Sequence, residues 1–216
     1  VHGGSEVAQR LVAHPLCSGV LFTGSYRVGK LLHEALAGRL EVLLALELGG
    51  NNPLIVDRTE SIDAAVYQII LSAFITSGQR CTCARRLILT REGNGEQILK
   101  RLAEVLPLIE VGDPNAEHQP FLGTLISAPA AKRMLDIQDS WIAGGAKILQ
   151  PMKRLANHDS ALTPGLIEYD HPSIYDEEWF GPLLSVQYAD DLDSAIELAN
   201  RTKFGLAAGL ISDDVD

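Results

Sequence analysis

Short apolar runs alternate with segments of helical period along most of the chain, and glycine-rich breaks separate them. This alternation restricts the fold more than any other feature, because strands that alternate with helices pack as an α/β fold with mostly parallel strands. Val20-Leu21-Phe22 predicts a short buried strand ending in Thr23-Gly24-Ser25. A helix over about 27–37 follows, stopped by Gly38, and then a strand over 42–46 before the break at Gly49-Gly50. Residues 53–56 predict another strand. Ser61 or Asp63 can cap a helix reaching about Ser77, with Gly78 at its C-terminal end. Ala64, Val66, Ile69, Ile70, Ala73, Phe74 and Ile75 leave that helix little polar face, so it is expected to be covered on most sides. Beyond it the pattern predicts a strand at 87–89, helices over 96–106 and 128–143, and a loop over 111–120. A strand at 184–188, a helix over 192–200 and a strand at 206–211 complete the series.

With 46% hydrophobic and 21% charged residues the chain has enough apolar surface for a packed core. Its formal net charge of −10 argues against a nucleic-acid partner or an anionic membrane surface. Three cysteines, Cys17, Cys81 and Cys83, match neither a disulfide framework nor a zinc pattern, which points to a reducing, cytoplasmic setting. The six histidines show no ligand spacing, so no metal is expected. The start at Val1 lacks the charged and apolar regions of a signal peptide, and no apolar run is long enough to span a bilayer. Both ends look cut, so the chain is expected to be a piece of a longer protein.

Four segments could carry chemistry. Phe22 to Gly29 turns from strand to helix through small residues, and N–H groups at such a turn can hold a phosphate or a ribose edge. The alternative is a tight turn at Gly24 and a close helix contact at Gly29. Glu47, at a strand end beside glycines, suits a general base in a desolvated setting, or else simply points to solvent. Gly78-Gln79-Arg80-Cys81-Thr82-Cys83 places a thiol near Arg80, Arg85 and Arg86, whose positive charge favours a thiolate nucleophile. Against this, a preceding helix C-terminus disfavours an anion. The spacing does not choose between Cys81 and Cys83, and free cysteines are commonly small buried hydrophobes, as is expected of Cys17. In Asp176 to Pro182 acids meet two aromatics and a turn. A carboxylate there can take both hydroxyls of a ribose, or the stretch is a solvated acidic loop with an aromatic anchor.

In this order the four segments resemble the aldehyde dehydrogenase superfamily. Its pattern appears as Phe22-Thr23-Gly24-Ser25, Leu46-Glu47-Leu48-Gly49-Gly50, Phe74-x-x-x-Gly78-Gln79-x-Cys81 and Glu178-x-Phe180-Gly181-Pro182. The resemblance implies the C-terminal part of a Rossmann-type cofactor domain over 1–48, followed by an α/β catalytic domain over 49–216. It makes Cys81, rather than Cys83, the nucleophile that forms a thiohemiacetal and then a thioester, and Glu47 the base that activates water. It implies NAD as cofactor, bordered by Gly24, Ser25, Gly29 and Leu48, with Glu178 on the nicotinamide ribose and Phe180 near the ring. The family's oxyanion asparagine and adenosine-ribose lysine would precede Val1, and a strand used in homo-oligomers would follow Asp216. A finer resemblance, in Ala45 to Val56 and Gly78 to Leu87, is to a branch serving bacterial arginine catabolism, whose substrate is an aldehyde carrying two carboxylates. Arg80, Arg85 and Arg86 suit such an anion. Alternatives are another acidic semialdehyde, a non-catalytic module, or a cysteine hydrolase, which would need a histidine paired with the thiol.

Overall fold

The computed structural model describes residues 1–113, 115–169 and 176–214. His171, Pro114 within the 111–120 loop, and Val215 and Asp216 lie outside the described residues. The chain divides into two compact units, Val1–Gly49 and Gly50–Asp216.

The first unit contains α1 (Ser5–Ala13), β1 (Gly19–Gly24), α2 (Tyr26–Leu36) and β2 (Leu43–Leu48). The two strands pair in parallel, from Gly19 opposite Leu43 to Gly24 opposite Leu48. Ser25 starts α2 by accepting a hydrogen bond from the Val28 N–H at 3.4 Å. Gly29 lets α2 lie close to the sheet: a Cβ there would come within 2.5 Å of Leu48 Cδ2. α2 covers only one face, so Val20, Phe22, Leu44, Leu46 and Leu48 are half-buried and the residues between them are exposed. The expectation of a buried β1 therefore fails at Leu21, which is 81% exposed.

The second unit is built on a six-stranded sheet in the order β5-β6-β7-β4-β3-β8. These are β3 (Asn52–Val56), β4 (Ala84–Thr90), β5 (Lys147–Gln150), β6 (Gly165–Glu168), β7 (Leu183–Ala189) and β8 (Gly209–Ile211). All neighbours are parallel except β5 and β6. β3 and β4 are buried at every residue. Their continuous apolar runs are what a sheet covered on both faces requires. Leu54, Val56, Leu87 and Leu89 face a core shared with α3 (Ile62–Phe74) and α4 (Gly95–Val105). Ile55 and Ile88 point the other way, toward α6 (Leu192–Ala199). α5 (Ala128–Ala143) joins a third cluster around Trp141 and Trp179.

Ser61 caps α3 as expected, accepting from the Ala64 N–H at 3.4 Å. Two expectations for this helix fail. Asp63, Ala64, Tyr67 and Gln68 are exposed, so one face sees solvent. The helix also ends at Phe74, because Thr76, Ser77 and Gly78 all take positive φ values of 53°, 56° and 69°. A left-handed turn cannot continue a right-handed helix. The predicted strand over 206–211 shortens to Gly209–Ile211. α1, β5 and β6 went unforeseen; β5 and β6 are only four residues each, too short to show a period.

Candidate active site

Four loops that enter parallel strands meet at the amino ends of β3, β4, β7 and β8. The short turn Gly50-Asn51-Asn52 organises them through its own polar groups. Asn52 Nδ2 donates to the carbonyls of Cys81, at 2.7 Å, and of Cys83, at 2.9 Å, while its Oδ1 accepts from the Ala207 N–H at 3.1 Å. One buried side chain thus pins the backbone on both sides of Thr82 and the approach to β8. Gly50 N–H donates to Glu178 Oε1 at 3.3 Å, and Asn51 Nδ2 to Asp176 Oδ1 at 3.1 Å. Asp176 also accepts from the Thr202 hydroxyl and the Lys203 N–H. Burial alone would raise the Asp176 pKa, but these donors outweigh it and hold the carboxyl below the usual carboxylate range.

A second connection joins the thiol loop to the Glu178 loop. A Cβ on Gly78 would lie 2.2 Å from the Gly181 carbonyl oxygen, so these two backbones touch where only glycine fits. The left-handed turn is held elsewhere by Ser77 Oγ donating to the Gly123 carbonyl at 2.9 Å. Gln79 Nε2 donates to the Thr124 carbonyl and its Oε1 accepts from the Ile126 N–H. That turn lies between α3 and Cys81, which removes the expected objection that a helix C-terminus disfavours a thiolate.

Cys81 is partly exposed, whereas Cys83 is buried and points its thiol at the Ile75 carbonyl, 3.7 Å away. Cys17, expected to be buried, is only partly so. Trp179 is the aromatic anchor, donating its Nε1–H to the Leu183 carbonyl at 2.7 Å and meeting Trp141 edge-to-face at 5.1 Å. Phe180 leaves its ring 45% exposed. Glu178 beside it is half-buried. Burial pushes its carboxyl above the ordinary carboxylate range, against the pull of the Gly50 N–H, Arg85 and Arg133.

The three arginines separate. Arg80 is exposed. Arg86, 3% exposed, gives its guanidinium to the carbonyls of Asn51, Leu198 and Ala199, which ties the Gly50–Asn52 turn to the carbonyl end of α6. Arg85 is 0% exposed. The guanidinium groups of both buried arginines are turned toward carbonyls of the chain itself, while Arg80 keeps its side chain at the surface. Glu47, in the first unit, is exposed on β2, so the desolvated setting expected for it is not found. Gly24, Ser25, Gly29 and Leu48 form the strand-to-helix junction already described. Asn52 was missed as a functional residue. An Asn-Asn pair after a glycine break and directly before a buried strand was the available signal.

Removing the Asn52 amide should loosen the loop that carries Cys81 without touching its thiol. Asn52→Ala in the full-length protein is expected to lower kcat about tenfold and stability by about 2 kcal/mol, the cost of leaving buried carbonyls unsatisfied. Steady-state kinetics beside a thermal melt checks both; an unchanged kcat would refute the positioning role.

Among the described residues no helix is long and apolar enough to cross a membrane, and no group of three or more His, Cys, Asp or Glu is placed to hold a metal ion.

The chain matches the family model described as the aldehyde dehydrogenase family over residues 1–216. An N-succinylglutamate 5-semialdehyde dehydrogenase of Ectopseudomonas mendocina (strain ymp) is 48% identical over 99% of this chain and 44% of the relative. One of Enterobacter sp. (strain 638) is 51% identical over 99% of this chain and 43% of its own length. Among solved structures, a variant of Thermus thermophilus 1-pyrroline-5-carboxylate dehydrogenase superposes with a TM-score of 0.87 at 34% identity, covering 98% of this chain and 42% of that one. Betaine aldehyde dehydrogenase from Staphylococcus aureus, solved with NAD+, gives 0.90 at 27% identity, covering 100% and 43%. The chain spans less than half the length of these proteins.

Proposed function

The chain belongs to the aldehyde dehydrogenase family, matched along its whole length, and from that premise we propose that the full-length protein oxidises N-succinylglutamate 5-semialdehyde to N-succinylglutamate with NAD, in arginine catabolism. The observation that carries this reading is that Cys81 and Glu178 sit on loops tied to one turn, through Asn52 and Gly50 respectively. A nucleophile and a hydroxyl-binding carboxylate are thereby held on one framework. The residues fit the nicotinamide end of the cofactor: a half-buried carboxylate able to accept ribose hydroxyls stands beside an exposed aromatic ring with room for a planar partner.

In this proposal residues 1–48 belong to the cofactor domain and 49–216 to the catalytic domain. The Cys81 thiolate attacks the aldehyde carbon, forming a C–S bond and a thiohemiacetal. NAD, when bound, supplies the two-electron oxidation of that adduct by accepting hydride. A thioester on Sγ remains. Glu47 takes a proton from water, hydroxide adds to the thioester carbon, and the C–S bond breaks to return the thiolate and release the carboxylate product. Gly24, Ser25, Gly29 and Leu48 border the cofactor, Glu178 holds its ribose and Phe180 packs near the ring. Arg80 meets a substrate carboxylate. The full-length protein is proposed to form a homo-oligomer.

The test is NADH formation by the full-length protein over a panel of aldehydes. The reading expects the highest kcat/KM with N-succinylglutamate 5-semialdehyde, and an Arg80→Gln variant about tenfold weaker toward that substrate but unaltered toward a neutral aldehyde. Preference for succinate semialdehyde would retain the chemistry and overturn the substrate. Failure with every aldehyde would overturn both.

A further inference from the structure

Cys81 follows a turn that its own residues disfavour. Thr76 and Ser77 take φ values of 53° and 56°, a left-handed conformation that a β-branched threonine in particular avoids. Such strain persists only where surrounding contacts over-determine it. Here those contacts come from one segment, residues 123–126. Ser77 Oγ donates to the Gly123 carbonyl at 2.9 Å. Gln79 uses both ends of its carboxamide: Nε2 donates to the Thr124 carbonyl at 3.3 Å, and Oε1 accepts from the Ile126 N–H at 2.9 Å. Nε2 also donates to the Thr76 carbonyl at 3.3 Å, so the same side chain closes the turn on itself.

That segment is a firm support. Leu122 is buried in the core shared with α3 and α4, and Leu125 in the cluster around Trp141 and Trp179. The Leu122 N–H donates to the Glu110 carbonyl at 3.0 Å and the Leu125 N–H to the Ser160 carbonyl at 2.8 Å. Ser127, directly after it, caps α5. Gln79 therefore ties the strained turn to well-anchored backbone two residues before Cys81, while Asn52 takes the Cys81 carbonyl from the side of β3. Two carboxamides bracket the thiol.

We propose that Gln79 is a positioning residue, whose amide holds the strained turn against residues 123–126 and so sets where the Cys81 thiol stands when it meets the aldehyde. This rests on the reading that Cys81 is the nucleophile. The stability of the fold does not call for that amide. Gln79 and Thr124 are only partly buried and Ile126 is exposed, so water can replace the bonds between them. Freeing the turn also releases strain. What is lost is placement, and the rate of attack falls steeply when the attacking atom is displaced. The Glu178 loop keeps ties of its own, from the Gly50 N–H to Glu178 and from Trp179 to the Leu183 carbonyl, so the cofactor side is left in place.

The experiment uses the full-length protein with Gln79→Met, which keeps the length of the side chain but neither donor nor acceptor, and Gln79→Glu, which keeps the acceptor for the Ile126 N–H. Each is measured for single-turnover NADH formation with the aldehyde that the parent oxidises fastest, for NADH affinity by fluorescence titration, and for melting temperature. For Gln79→Met the expected result is NADH formation slower by about thirtyfold, with NADH affinity within about twofold of the parent and a melting temperature within a few degrees of it. Gln79→Glu should lie between the two. A Gln79→Met protein that keeps the parent rate overturns the proposal. So does one that fails to fold, or whose melting temperature and NADH affinity fall along with the rate, because a merely structural glutamine predicts those results. A parent that forms no NADH from any aldehyde, or whose Cys81→Ala variant forms it equally fast, overturns the proposal together with the reading beneath it.

Discussion

Changing Cys81 to alanine in the full-length protein is expected to reduce aldehyde oxidation by a thousandfold or more while leaving the fold nearly unaltered. The structure separates these two effects. The Cys81 backbone carbonyl, not its thiol, takes the Asn52 bond, so the side chain can be removed without releasing the loop. Cys83 cannot substitute, since it is buried and its thiol faces the Ile75 carbonyl. The paired control is Cys83→Ala. It removes a small buried group, and should cost about 1 kcal/mol of stability with turnover preserved within a few-fold. Kinetics and melts on both variants decide the matter; a Cys83→Ala protein that is inactive yet folded would reverse the assignment.

Gly78→Ala should be the most damaging change outside the reacting groups. Its φ of 69° alone costs an L-residue about 1 kcal/mol. A Cβ would also stand 2.2 Å from the Gly181 carbonyl oxygen and 3.1 Å from the Pro182 nitrogen, which are backbone atoms that cannot rotate aside. Either the turn before Cys81 or the Glu178–Pro182 loop must move. The expected loss is about 3 kcal/mol or more of stability, with kcat/KM down about a hundredfold, because misplacing a nucleophile by a fraction of an ångström is enough to lose most of its reactivity. Thermal denaturation and steady-state rates on the full-length variant check this. A melting temperature within a degree or two of the parent would show that the two loops do not meet as described.

Much of this arrangement could be read from the chain. β3 and β4 were legible because a strand buried on both faces must be apolar throughout, and α4, α5 and α6 because their apolar positions recur at helical spacing. Period alone could not reveal that Thr76 and Ser77 would adopt a conformation β-branched and ordinary residues avoid, so α3 was read past its end. β5 and β6 were hidden by their length. At the site, the order of the motifs singled out Cys81, Glu47 and Glu178, but burial was misjudged in both directions. Glu47 follows apolar residues yet lies on the exposed face of a two-stranded sheet, and Arg85 and Arg86, offered for a substrate anion, are enclosed. Sequence shows the type of a residue, while exposure depends on what the rest of the fold lays over it. The role of Asn52 was hidden for a related reason, since its three hydrogen bonds join segments far apart in the chain.

Cys81 is proposed to carry the acyl group. The most direct measurement is peptide mass spectrometry after acid quench of the full-length protein turning over N-succinylglutamate 5-semialdehyde with NAD, with fragmentation that resolves Cys81 from Cys83. A thioester of the oxidised substrate is expected on Cys81, absent from Cys81→Ala and accumulating in Glu47→Gln, where the carboxylate proposed to activate water is gone. An acyl group found on Cys83 or Cys17, or steady turnover with no acylated cysteine in either the parent or the Glu47→Gln protein, would contradict it.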